Sequence, residues 1–166
     1  MKLFIDRLES PMGTIVLITN GDRLCALDFA DCQQRTLNLL HKRYQSFELV
    51  DQIDPFGFSQ QVRAYLAGNY ASLHDLAIDP GGTDFQQLVW RALRQIPVGK
   101  TITYGDLAVK VGKPTAARAV GMANSLNPIA IVVPCHRVIG ARSQLTGYAG
   151  GLVRKQWLLA HEGISL

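Results

Sequence analysis

The chain has 166 residues, 48% of them hydrophobic and 18% charged, a globular composition that excludes disordered and collagen-like classes. Its longest apolar run, Ile129 to Val133, falls far short of the ~20 residues a membrane-spanning helix needs, and MKLFIDRLES lacks the apolar stretch of a signal peptide. The net charge of +4 hides a split: residues 1–83 carry 7 Lys/Arg and 10 Asp/Glu (−3), whereas residues 84–166 carry 10 and 3 (+7). The basic half suits a polyanion and the acidic half does not. Cys25, Cys32 and Cys135 are an odd set with no disulfide-framework spacing, as expected of a reduced, cytosolic protein.

Leu3–Leu8 and Thr14–Thr19 flank a Ser10-Pro-Met-Gly13 turn and read as a β-hairpin. After the Asn20-Gly21-Asp22 turn, Leu24–Phe29 reads as a third strand. Asp31 is placed to cap a helix to about Tyr44, with Leu37, Leu40 and Tyr44 on one face. Ser59 is placed to cap another, carrying Val62, Tyr65 and Leu66 and stopping at Gly68. A small antiparallel sheet with helices is expected.

Pro80-Gly81-Gly82 reads as a linker, dividing the chain into domains at 1–79 and 80–166. Beyond it the period becomes helical. Thr83-x-x-Gln86 is a capping box for a helix with Phe85, Val89, Ala92 and Ile96 on one face, ended by Pro97-Val98-Gly99. Thr103 opens a short helix through Val111, Gly112-Lys113-Pro114 turns the chain, and a small-residue helix runs from Thr115 to Asn124 with Pro114 in its first turn. Helix, short glycine turn and helix make the spacing of a helix-turn-helix. The small side chains suit either close approach to a groove or tight packing on another helix. A last helix spans Leu152–His161.

Asn127-Pro-Ile-Ala-Ile-Val-Val-Pro-Cys135-His136-Arg137-Val138 carries the chemistry. A buried, strand-like run delivers a cysteine followed by an imidazole and a guanidinium. Cationic neighbours favour thiolate over thiol, lowering the cysteine from about 8.5. On extended chain Cys135 and His136 point to opposite sides, so a water is expected between them. The C-terminal half offers three acids to orient His136: Asp84, Asp106 and Glu162. Glu162, beside Gly163, either swings toward His136 or stays a solvated helix end.

Pro134-Cys-His-Arg-Val138 resembles the active-site signature of the O6-alkylguanine-DNA alkyltransferases, especially the bacterial constitutive type. The likeness continues through Gly82–Trp90, Ile96-Pro97, Tyr104-Gly105, Ala116–Gly121, Asn127-Pro128, Thr146–Gly151 and Lys155–Gly163, and more weakly at Ser10–Gly13 and Ala67-Gly68. The resemblance implies an α/β (α+β) chain with an N-terminal ribonuclease-H-like domain and a C-terminal helix-turn-helix, winged-helix-like domain. It implies stoichiometric, self-inactivating transfer of the alkyl group from O6-alkylguanine, and from O4-alkylthymine, in double-stranded DNA to Cys135. His136 and Glu162 would form a water-bridged relay. Tyr104 would help turn out the nucleotide and bond the guanine, and Asn127 would be a helix-terminating hinge beneath the cysteine. Arg118 would fill the gap left by the flipped base, with further DNA contacts at Tyr104, Gly105, Lys113, Gln86 and Ala117. Val138, Tyr148 and Ala149 would line the pocket. A monomer with no cofactor, no metal and no membrane partner is expected.

Three departures from the family pattern stand out. Cys25, Cys32, His41 and His74 lack the spacing of a zinc ligand set and read as structural. Ala141-Arg142-Ser143 replaces the usual turn after Ile-Gly, leaving that loop's shape open, and Ala130 stands where some relatives carry proline. Two other readings compete: a sensor that binds alkylated DNA without transfer, and a cysteine hydrolase built on the Cys/His/Glu set.

Overall fold

The computed structural model describes residues 1–54 and 56–166. The chain is a mixed α/β molecule of two compact units, Met1–Gly81 and Gly82–Leu166.

In the first unit β1 (Lys2–Ser10) and β2 (Gly13–Thr19) form the hairpin, in register from Phe4 opposite Thr19 to Ser10 opposite Gly13. The Ser10 hydroxyl donates to the Gly13 carbonyl at 2.7 Å and accepts from the Met12 amide at 3.1 Å, closing the turn. β3 (Leu24–Phe29) adds antiparallel to β2 and is buried along its whole length, so this strand is covered on both faces. α1 (Gln33–Tyr44) packs back on β3, and Asp28 ties the two by accepting from Arg35 at 2.9 Å and Thr36 at 3.3 Å. Leu3, Ile5, Val16, Ile18, Cys25, Ala26 and Leu40 form the core beneath it.

The antiparallel expectation needs correcting. A fourth strand, β4 (Glu48–Asp51), pairs parallel to β1, giving the mixed order β3-β2-β1-β4. Asp31 is no cap either: it sits in a 3-10 turn, Ala30–Cys32, and α1 starts after Cys32 without a side-chain cap. α2 (Phe58–Leu66) begins after Gly57, and its orphan amides at Ser59 and Gln60 are taken by the Asp54 carboxylate at 2.8 and 3.2 Å. The Ser59 hydroxyl instead donates to Asp6 on β1 at 2.5 Å, fixing α2 to the sheet.

In the second unit α3 (Asp84–Arg94) carries the capping box in full: Thr83 Oγ1 accepts from the Gln86 amide at 3.1 Å and Gln86 Oε1 accepts from the Thr83 amide at 3.0 Å. Gly82 precedes it at φ +81°, and a Cβ there would lie 2.6 Å from the Trp90 ring, so only glycine fits. Trp90 Nε1 donates to the Ala123 carbonyl at 2.9 Å, joining α3 to α5 (Ala117–Ser125). β5 (Ile102–Thr103) leads into α4 (Tyr104–Lys110), where Thr103 Oγ1 caps the Asp106 amide at 3.1 Å.

The helix expected from Thr115 starts two residues later, because Pro114 and Thr115 complete the turn from α4 instead of entering the helix. Ile129–Val133, expected as a strand, is a buried chain of turns in which Ile131 adopts φ +71°. β6 (Val138–Ile139) pairs parallel to β5, and α6 (Leu152–His161) closes the unit. Among the described residues no helix is long and apolar enough to cross a membrane.

Candidate active site

Asn127 organises the approach to Cys135. Its side-chain Nδ2 donates to the Val133 carbonyl at 2.8 Å, and its Oδ1 accepts from the Ile129 amide at 3.0 Å. The two bonds staple the ends of the 127–133 turn, and Pro134 then delivers Cys135 into a 3-10 turn, Cys135–Arg137. The extended geometry expected for Cys135 and His136 is therefore replaced by a helical one. Cys135 keeps 7% of its surface exposed, and His136 keeps none.

Behind the sulfur lies a buried ionic assembly. His136 Nε2 is 2.8 Å from Glu162 Oε2. Arg137 grips the same carboxylate through Nε to Oε1 at 2.7 Å and Nη2 to Oε2 at 3.0 Å, and its Nη1 donates to the Ile96 carbonyl at 2.7 Å. Glu162 is thus no solvated helix end; its side chain is wholly buried. A carboxylate held by two guanidinium donors has only acceptor positions left, so Nε2 of His136 carries the hydrogen. Burial pushes His136 below the usual imidazole range, against the opposing hydrogen bond and charge of Glu162, and Arg137 and Lys155 add to the lowering. A neutral, Nε2-protonated ring leaves Nδ1 with a lone pair. That nitrogen is buried and has no hydrogen-bond partner among the described residues.

Arg137 plays a different part from the one expected of it. Its guanidinium is committed to Glu162 and Ile96, so its charge offsets the carboxylate rather than standing over the thiol. A cation missed in the sequence is Lys155, fully buried on α6. Its Nζ donates to the carbonyls of Val138 at 2.6 Å, Thr146 at 2.5 Å and Gly147 at 3.3 Å. The signal was present: Lys155, Leu158, Leu159 and Glu162 follow the i, i+3, i+4, i+7 spacing of a helix face, and all four are buried.

The remaining residues lie on α3, along the α4–α5 segment, on β6 and on the loop before α6. Tyr104 lies at the start of α4, its ring within 3.6 Å of where a Cβ on Gly121 would stand, and its hydroxyl accepts from Thr146 Oγ1 at 3.3 Å. β5–β6 pairing sets Val138, which is buried, beside Ile102, two residues before Tyr104. Tyr148 is half-buried and Ala149 exposed on the loop that Lys155 ties down. In that loop Arg142 and Ser143 both take positive φ, the conformation a glycine turn would supply. Gly105, Lys113 and Arg118 are exposed on α4, the turn and α5, with Ala117 half-buried. Gln86 spends its side-chain oxygen on the α3 cap.

Among the described residues no group of three or more His, Cys, Asp or Glu gathers as a metal site. Cys25 donates to the Ile18 carbonyl at 3.3 Å, and burial pushes its thiol up to about 12.

Residues 84–164 match the family described as 6-O-methylguanine DNA methyltransferase, DNA binding domain, and residues 4–80 match its ribonuclease-like domain. A methylated-DNA–protein-cysteine methyltransferase of Salmonella typhimurium is 46% identical, over 100% of this chain and 99% of that protein. One from Methanosarcina barkeri is 46% identical over 96% of this chain and 97% of its own. Among solved structures, Mycobacterium tuberculosis OGT in complex with DNA superposes with a TM-score of 0.80 at 41% identity, over 98% of this chain and 92% of that one. The O6-methylguanine-DNA methyltransferase of Pyrococcus kodakaraensis gives 0.76 at 30% identity, over 98% and 99%. By sequence along its full length and by fold, the chain belongs to the 6-O-methylguanine DNA methyltransferase family.

Proposed function

We propose that this chain repairs DNA by moving the alkyl group of O6-alkylguanine onto Cys135, once per molecule. The observation that carries the reading is the buried lone pair of His136 Nδ1, held in that tautomer by Glu162 and Arg137 one residue along from a cysteine. Nδ1 takes the thiol proton through a bridging water, and Glu162 stabilises the imidazolium that forms. The thiolate attacks the alkyl carbon in line, the carbon–O6 bond breaks, and the electron pair departs on the guanine oxygen. The Tyr104 hydroxyl supplies a hydrogen bond or proton to that oxygen. The resulting thioether has no leaving group at neutral pH, so each molecule acts once and needs no cofactor or metal.

With so little of Cys135 exposed, a base stacked in a duplex cannot present its substituent to the sulfur, and the nucleotide has to leave the stack. We assign α4, the 111–116 turn and α5 as a helix-turn-helix, with exposed Arg118 entering the gap and Lys113, Gly105, Ala117 and Gln86 near the phosphates. Val138, Tyr148 and Ala149 form the base pocket. O4-alkylthymine is the second substrate, and the protein acts as a cytoplasmic monomer, with domains divided at 79/80.

Incubation with a duplex carrying O6-methylguanine tests the reading. The intact protein should gain the mass of one methyl group, and Cys135→Ser should gain none. Stable binding to that duplex with no gain in mass would favour the non-transferring sensor instead.

A further inference from the structure

Thr146 is held at three points, and one of them is Tyr104. Its carbonyl accepts from Lys155 Nζ at 2.5 Å. Its methyl, Cγ2, lies 2.9 Å from where a Cβ on Gly140 would stand, so the loop closes over that glycine. The Gly140 amide in turn donates to the Gln144 carbonyl at 2.8 Å. Threonine is branched at Cβ, so once its backbone and methyl are placed the direction of its hydroxyl is placed as well. That hydroxyl donates to the Tyr104 hydroxyl at 3.3 Å, a long bond of the kind that tightens when a site is loaded. The Tyr104 ring itself rests against α5, its Cδ1 and Cε1 3.6 and 3.8 Å from where a Cβ on Gly121 would stand. Packing on α5 sets where the ring lies but not which way its hydroxyl hydrogen points. A phenolic oxygen that accepts from Thr146 keeps its own hydrogen to donate elsewhere.

We propose that Thr146 is a positioning residue for alkyl transfer: by donating to the Tyr104 oxygen, its hydroxyl aims the Tyr104 hydrogen at the departing guanine O6. The proposal rests on Cys135 taking the alkyl group and on Tyr104 serving that oxygen. In the transfer a sulfur–carbon bond forms and the carbon–O6 bond breaks, its electron pair going to O6. The Tyr104 hydrogen is drawn toward O6, so electron density builds on the phenolic oxygen behind it. The bond from Thr146 strengthens in step, because hydrogen bonds to an oxygen gaining negative charge are shorter and stronger. Thr146 therefore stabilises the transition state more than the bound substrate, which raises the rate of transfer rather than the affinity for DNA. The opposite arrangement, with Tyr104 donating to Thr146, would spend the hydrogen and slow the step.

Thr146→Val tests this on the full chain, since it keeps the branched shape and the methyl over Gly140 while removing the donor. Single-turnover methyl transfer from a saturating O6-methylguanine duplex should slow about fivefold, with DNA affinity unchanged. Thr146→Ser, which keeps the hydroxyl, should recover most of that rate. In a Tyr104→Phe background, Thr146→Val should cost nothing further. Iodoacetamide capture at Cys135, followed on the tryptic peptide 119–137 in a Cys32→Ser background, should keep its wild-type rate, because iodide leaves without help from Tyr104. Transfer by Thr146→Val as fast as wild type, or faster, overturns the proposal. So does the same slowing in the Tyr104→Phe background, or an equal slowing of iodoacetamide capture, which would make Thr146 a structural residue only. Should Thr146→Val fail to fold, Thr146→Ala is read by the same comparisons. Wild type that transfers while Thr146→Val matches it would sink this inference alone. Wild type that transfers no methyl from DNA would sink the proposed function.

Discussion

Glu162 serves two masters, and the balance between them governs what His136 can do. Replacing Arg137 with Met leaves the carboxylate buried with only the imidazole opposite, which should cost about 3–5 kcal/mol. Removing the charge as well, in Arg137→Met/Glu162→Gln, should recover part of that loss; a double variant as unstable as the sum of the singles, by urea unfolding, would deny the coupling. His136 sets a pH dependence of its own. Its folded value lies below the unfolded reference of 6.5, chiefly through burial, so the unfolded chain binds the proton more readily. The stability tied to its neutral form is therefore present above about pH 6.5 and lost as pH falls below it. Wild type should lose more stability between pH 7 and 5 than His136→Gln does, and parallel losses would contradict this. Cys135, His136 and their order were legible in the sequence because they are neighbours. The Arg137–Glu162 clamp was not, because its members lie 25 residues apart and only the packing of α6 on the Cys135–Arg137 turn brings them together.

Elements with local signals emerged from the sequence nearly whole. The hairpin follows from Ser10–Gly13, and α3 from a capping box whose two bonds are both formed. Thr83→Ala should cost about 1 kcal/mol in thermal or urea unfolding, and a variant as stable as wild type would show the cap to be idle. Elements defined by distant partners did not emerge. β4 is four residues long, has no turn signal of its own, and exists because β1 offers it a parallel edge. Ile129–Val133 is rich in β-branched residues and so reads as a strand. Asn127 stapling both ends and the positive φ of Ile131 convert it to a buried turn, a strain that only a packed site supports. On α5, Arg118→Ala should weaken repair in duplex DNA far more than reaction with the free modified base. Equal losses would remove its assigned place in the gap.

Over the whole molecule the charge split reads as a division of labour: +7 over residues 84–166, which carry every residue assigned to chemistry or DNA, against −3 over residues 1–83. Binding to DNA should then fall steeply between low and physiological salt, and an affinity that stayed flat would contradict a phosphate-facing surface. The central claim is narrower, that one sulfur receives the alkyl group and keeps it. After reaction with excess O6-methylguanine duplex, tryptic mapping should find a single equivalent of methyl on peptide 119–137, at Cys135, with no further uptake on prolonged incubation. Methyl on a peptide holding Cys25 or Cys32, or more than one equivalent of DNA repaired per chain, would contradict the account.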